Sequence, residues 1–249
     1  MLLFIPNQRL IPLLLISLVT IAGCGFSIER VKPAVTVTRD ITHYESPEDC
    51  YEAMTAAASR HDFEAALDCM TIETQQQLGG FLLYQARLSR FLADNAMFRG
   101  DARAADMRKA IEGVDEVFAA HNIDDRTLKY LPPFTEQTLT DGEAMRKLGK
   151  QIKELHGFTS SMLTLIAKLN PGAAPLSVLD GELTMDAIDE DAPEVATGVI
   201  VAEAKSEPVE FRRVEGGWQI VLEVGNMTSK RALSKPSTSP KSTSPRGRP

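Results

Sequence analysis

The chain has 249 residues, 43% of them hydrophobic and only 6% aromatic, with 27 Lys and Arg against 34 Asp and Glu. Setting aside Arg9 and the six bases after Ser229 leaves 20 bases against the 34 acids, a net −14 for the body. Such a body repels nucleic acid and anionic membrane surfaces, so nucleic acid is excluded as a partner.

The apolar run from Leu10 to Ile21 follows Arg9 and covers roughly a dozen residues, the length of a signal-peptide hydrophobic region and short of the ~20 that span a bilayer as a helix. It ends in Ile21, Ala22, Gly23 and Cys24. An aliphatic residue, two small residues and a cysteine resemble the lipobox of bacterial lipoproteins. The resemblance implies cleavage before Cys24, a thioether from its sulfur to diacylglycerol, and an exported chain held on the periplasmic or cell-surface side. The alternatives are an ordinary signal peptide cut elsewhere and an uncleaved short anchor. On the lipoprotein reading residues 1–23 are the signal peptide and 24–45 a tether, in which Val35 and Val37 alternate with threonines as a short edge strand or an extended linker.

From Ser46 the pattern becomes a helical hairpin. Ser46 caps, Pro47 fits the first turn, and Glu48 with Asp49 complements the helix dipole. Cys50, Met54, Ala57 and Ala58 share one face; the turn falls at residues 60–62, Asp62 caps the second helix, and Phe63, Ala66, Leu67 and Met70 form its stripe. Next comes a helix marked by Leu78, Phe81, Leu82, Leu88 and Leu92, its start weakened by Gly79 and Gly80, and another marked by Ala104, Met107, Ile111, Val114 and Phe118. A brief turn at residues 124–133 is stopped by Pro132 and Pro133. Thr140 and Glu143 read as a capping box ahead of Met145, Leu148, Ile152 and Leu155. Phe158, Met162, Leu165, Ile166 and Leu169 continue that helix or start a new one after Gly157.

Beyond Leu176 the period becomes alternating, and four strands are predicted within 177–188, 195–204, 208–214 and 218–224, separated by turns at 189–193, 205–207 and 215–217. A tight turn on Gly216 and Gly217 would set Arg213 opposite Ile220 and Phe211 opposite Leu222, gathering Val209, Phe211, Ile220 and Leu222 on one face. The expected fold is α+β: one domain over 46–228, with N-terminal helices packed on a C-terminal curved antiparallel sheet of about four strands and an enlarged helical middle. Residues 229–249 are basic and rich in Ser, Thr and Pro, with too little apolar surface to offset the entropy of ordering, and read as a disordered tail.

Helices first and then a sheet closing in EFRRVEGGWQIVLEV resemble bacterial lipoproteins with a nuclear-transport-factor-two-like cone fold, which open with a motif like SPEDCYEAMTAAASRHDFEAALDCM. The resemblance implies a sheet wrapped around helices. Some members of that wider fold are isomerases or dehydratases with acids, tyrosines or histidines inside the cone, and no position here matches such a motif.

Cys50 and Cys69 lie eleven residues before and eight after the hairpin turn, at comparable heights, so their α-carbons can approach the ~4.4 to 6.8 Å a disulfide requires provided both face the seam; Cys50 lies on the apolar stripe and Cys69 at its edge. Two buried thiols acting as small apolar residues are the alternative. The four histidines, His43, His61, His121 and His156, form no ligand spacing and read as structural or solvated. Asp186, Asp189, Glu190 and Asp191 lack the turn glycine of a calcium loop and read as a solvated turn, and Trp218 reads as packing. The chain thus calls for no metal, no cofactor and no catalytic residue. It reads as a lipid-anchored envelope protein with a binding or scaffolding domain whose partner, beyond the membrane, is an unidentified protein, cell-wall polymer or small molecule; the alternative is a small-ligand binding protein or enzyme with a pocket between sheet and helices.

Overall fold

The computed structural model describes residues 43–94, 103–124, 131–170, 175–176, 181–186, 193–202 and 205–222. Cys24, the tether up to residue 42, the basic tail, and three of the four acids around residue 190 lie outside them.

Helix α1, Pro47–Ser59, starts because the Ser46 hydroxyl accepts the Asp49 N–H at 3.1 Å and proline occupies the first turn. It stops in a Schellman motif: His61 takes φ 58°, its N–H reaches Ala58 O, and the Asp62 N–H reaches Ala57 O. Asp62 then caps α2, Phe63–Asp68, through the Ala65 N–H. This second helix is shorter than its sequence stripe predicts. Met70 has left it and sits instead in a bridge to Ile220 of the sheet.

Helix α3, Ile72–Asp94, runs straight through both glycines that were expected to weaken it. Their purpose lies in packing. A Cβ on Gly80 would stand 1.9 Å from the carbonyl oxygen of Met145, and one on Gly149 would stand 1.9 Å from that of Gln76. Backbone therefore meets backbone where α3 crosses α6. Helix α4, Arg103–Ala120, ends in a second Schellman motif with Asn122 at φ 54° and the Ile123 N–H on Phe118 O at 2.8 Å.

Two short helices follow, α5, Glu136–Thr140, and α6, Gly142–Gly149. The expected Thr140–Glu143 capping box does not form. Thr140 belongs to α5, which Thr135 caps, and Asp141 caps α6 by accepting the Ala144 N–H at 2.9 Å. Glu143 pairs with Arg146 instead. Helix α7, Leu155–Leu169, begins two residues before Gly157 and carries it inside its first turn.

The sheet is antiparallel in the order β1, Glu182–Met185, β2, Val195–Ala202, β3, Lys205–Val214, and β4, Gly217–Val221. Helices precede strands, and the chain is α+β as expected. Residues 205–207, read from sequence as a turn, open β3 instead. In the last hairpin Phe211 faces Ile220, Arg213 faces Trp218 and Val214 faces Gly217, a register two residues from the predicted one. The turn is Glu215–Gly216, at φ 50° and 90°, as a type I′ turn requires. A slip of two preserves the faces, so Val209, Phe211, Ile220 and Leu222 still lie buried together. They join Met54, Phe63, Leu67, Met70 and Phe158 in a core shared by helices and sheet. No helix among the described residues is long and apolar enough to cross a membrane.

The close crossing reverses the usual sign of a glycine substitution. In an open helix Gly→Ala gains up to ~1 kcal/mol. Gly80→Ala is expected to destabilise by about 3 kcal/mol because the new methyl meets a carbonyl that cannot move aside, whereas Gly79→Ala meets only the ends of the Leu155 and Thr159 side chains and costs less. Urea denaturation of the two variants checks that order.

Glu215 is the opposite case, a side chain held in a conformation that favours Asn or Gly. Glu215→Asn is expected to raise stability by about 0.5 to 1 kcal/mol, read from the same unfolding curves.

Candidate functional site

Cys50 and Cys69 are brought together. Cys50 stands in the first turn of α1 and Cys69 is the residue that ends α2; both are fully buried and stand as two thiols rather than a cystine. Cys50 Sγ donates to Cys69 O at 3.5 Å, and Cys69 Sγ lies 3.3 Å from the Tyr44 hydroxyl. The Cys69 thiol is lowered, first by the neighbouring Cys50 thiol and then, against burial, by its contact with the Tyr44 hydroxyl. Cys50 is pushed up by its hydrogen bond to Cys69 and by burial, and Tyr44 by burial and then by the same sulfur. Tyr44 is the member sequence reasoning missed, because a contact between residues 25 apart leaves no local pattern.

The histidines divide. His61 serves the backbone turn after α1, and its ring meets Phe63 edge-on. His156 pairs with Asp68 at 2.9 Å, joining α7 to the end of α2. His121 is the unexpected one. Its imidazole is 1% exposed, with Nδ1 3.2 Å from Glu154 Oε2 and Nε2 3.1 Å from Ser161 Oγ, and its edge packs on Phe158.

Hydroxyl, imidazole and carboxylate thus stand in the order of a nucleophile, its base and an orienting acid. The surroundings are reversed. Glu154 has 45% of its side chain exposed while the imidazole is sealed, and the backbone around Ser161, midway along α7, is committed to the helix ladder rather than aimed at an oxyanion. In its neutral form the ring donates from Nδ1 to Glu154 and accepts the Ser161 hydroxyl at Nε2. The array acts as a clamp between the end of α4 and the first two turns of α7.

A separate cleft of about 720 Å³ opens between α3, α4 and residues 131–134. Phe134 lies between Tyr84 and Phe91, with ring centroids 5.4 and 5.5 Å away. Tyr84 fixes that segment by donating to Pro133 O and accepting the Thr135 N–H, both at 3.0 Å, and its phenol is raised, first by burial. Phe91, Leu131 and Phe134 are 52%, 42% and 36% exposed. Both arginines here are engaged within the cleft wall. Arg90 grips Asp115 through two contacts of 2.7 and 3.2 Å, and the Arg87 guanidinium lies 5.3 Å over the Phe118 ring.

Trp218 is buried in the core cluster, and Asp186 is exposed and accepts the Thr197 hydroxyl at 3.1 Å. Among the described residues no group of three or more His, Cys, Asp or Glu side chains is placed to hold a metal ion.

If His121 is a clamp, His121→Ala is expected to cost about 2 to 3 kcal/mol from lost packing and two lost hydrogen bonds, and Ser161→Ala about 1 kcal/mol. Chemical denaturation measures both; a His121→Ala variant as stable as the parent would remove the role. Comparison with protein-family models, curated proteins and solved structures found no match for the chain in any of the three.

Proposed function

We propose that the chain is a lipid-anchored cell-envelope protein, a bacterial lipoprotein whose folded domain binds or scaffolds a partner. The observation that carries this reading is the apolar run closing in Ile21, Ala22, Gly23 and Cys24. Two or three acyl chains on Cys24 would bury methylenes at ~0.8 kcal/mol each, and membrane retention falls on them. The resemblance to nuclear-transport-factor-two-like lipoproteins is part of the proposal and is supported by the helices-then-sheet order. The space between sheet and helices, where cone-fold enzymes keep their reacting groups, holds fully buried Phe63, Phe158, Phe211, Met54, Leu67 and Ile220. A packed apolar interior supports binding at the surface over chemistry within.

A second reading, a small-ligand binding protein, is favoured by the aromatic cleft. Its volume falls within the ~300 to 1,000 Å³ of ligand sites, although it lies between helices rather than between sheet and helices.

The test is fractionation of cells expressing the full chain, with intact mass of the product. The parent chain is expected in the membrane fraction, beginning at an acylated Cys24, and Cys24→Ser is expected to remain unprocessed and to carry no lipid. Equal processing of the two would end the lipoprotein reading. For the cleft, native mass spectrometry of the purified protein should show a retained small molecule that Phe91→Asp releases; a ligand held equally by the variant would place it elsewhere.

A further inference from the structure

The two buried sulfurs stand behind a structural seam. The carbonyl of Cys69 accepts the Ile220 N–H at 2.8 Å, and the carbonyl of Tyr44 accepts the Trp218 N–H at 3.0 Å, so the main chain at both residues lies along the free edge of β4. Cys50 reaches the same point from α1. The three side chains therefore meet where the incoming tether joins the domain. Burial alone would be satisfied by alanine or valine at either position. Here instead two thiols, both with no solvent exposure, stand on facing elements with Cys50 Sγ 3.5 Å from the carbonyl oxygen of Cys69, the short approach that a disulfide between the two residues needs.

We propose that Cys50 and Cys69 are a disulfide-forming pair, and that their cystine locks α1, the end of α2 and the edge of β4 together at the point where the tether enters. The oxidant is an external disulfide, either oxidised glutathione or the disulfide of a dithiol oxidoreductase. One protein thiol loses its proton and attacks the oxidant; the oxidant's S–S bond breaks, a mixed disulfide forms, and one thiol departs. The second protein thiol loses its proton and attacks the protein sulfur of that mixed disulfide, forming the Cys50–Cys69 bond and expelling the other thiol. Two electrons and two protons pass to the oxidant, which ends as two thiols. Because neither sulfur touches solvent in the folded domain, the exchange belongs to folding, before α1 closes over Cys69, and the finished bond is shielded from reductants. The supply of oxidant in the cell rests on the exported location proposed above; the geometry of the pair does not.

The full chain is to be denatured, refolded with oxidised or with reduced glutathione, then alkylated in denaturant and mapped by peptide mass. Refolding with the oxidised form is expected to give a Cys50–Cys69 linked peptide with neither residue alkylated. Alkylation of both, or linkage to Cys24 in preference, overturns the proposal wherever the protein resides. The cystine form is expected to melt roughly 5 to 10 °C above the reduced form. Refolded from the same two buffers, a Cys50→Ala/Cys69→Ala variant should show one melting temperature; a difference of parental size would show that the shift comes from elsewhere and would overturn the locking role. Protein taken from cells with both thiols free, when the bond forms readily on refolding, would count against the exported location and leave the pair standing.

Discussion

Helices and sheet are joined by main chain rather than by side-chain packing alone, and three residues do it. Ile220 donates its N–H to Cys69 O, and Thr71 donates its N–H to Ile220 O, so Cys69, Met70 and Thr71 run beside β4 as a parallel extension of the sheet. The surrounding polar groups complete the accounting. Gln75 Nε2 donates to the carbonyls of Leu67 and Met70, and Thr74 Oγ1 accepts the Leu222 N–H at 3.0 Å. Buried backbone groups must find partners, and an open strand edge invites pairing with other chains. This junction answers both demands at once for β4, and it fixes where α2 ends, where α3 starts and what lies in front of the two cysteines.

With α3 launched from that junction, its path is set by the glycine crossing. Met145 O and Gln76 O occupy the volume where Cβ atoms of Gly80 and Gly149 would lie, which brings α3 and α6 closer than side chains allow. Propensity alone argues against two adjacent glycines in a helix of 23 residues. Packing wins because one close contact between helices recovers dispersion over both surfaces, while the conformational cost is ~1 kcal/mol per glycine.

What was legible in the sequence is what is local. Ser46, Pro47 and Asp62 act within three residues of themselves, and the strand faces follow from a period of two, so caps and faces could be read directly. The hairpin register was misplaced because two glycines compete for one turn. Gly217 is claimed by packing: a Cβ there would stand 3.0 Å from the α-carbon of His43, so it enters β4 and leaves Glu215 in the left-handed position. Thr140 failed as a cap for a similar reason, being already the last residue of the short helix that Thr135 starts. The Tyr44–Cys69 contact and the His121 clamp join residues 25, 33 and 40 positions apart, and no periodicity encodes such meetings.

The placement of charge bears on what the domain can recognise. Arg90 is held by Asp115, Arg146 by Glu143, Arg212 by Glu210, and His156 sits on Asp68. Each of these side chains has a partner within the fold, and a ligand drawing on one of them competes with that existing contact. The aromatic faces at Phe91 and Phe134 face no such competition, since apolar surface gains by leaving water whatever covers it. Recognition built on that cleft would select by shape and apolar area more than by charge. For a body carrying net −14 this is physically coherent, because apolar contact does not depend on the sign of the partner's charge.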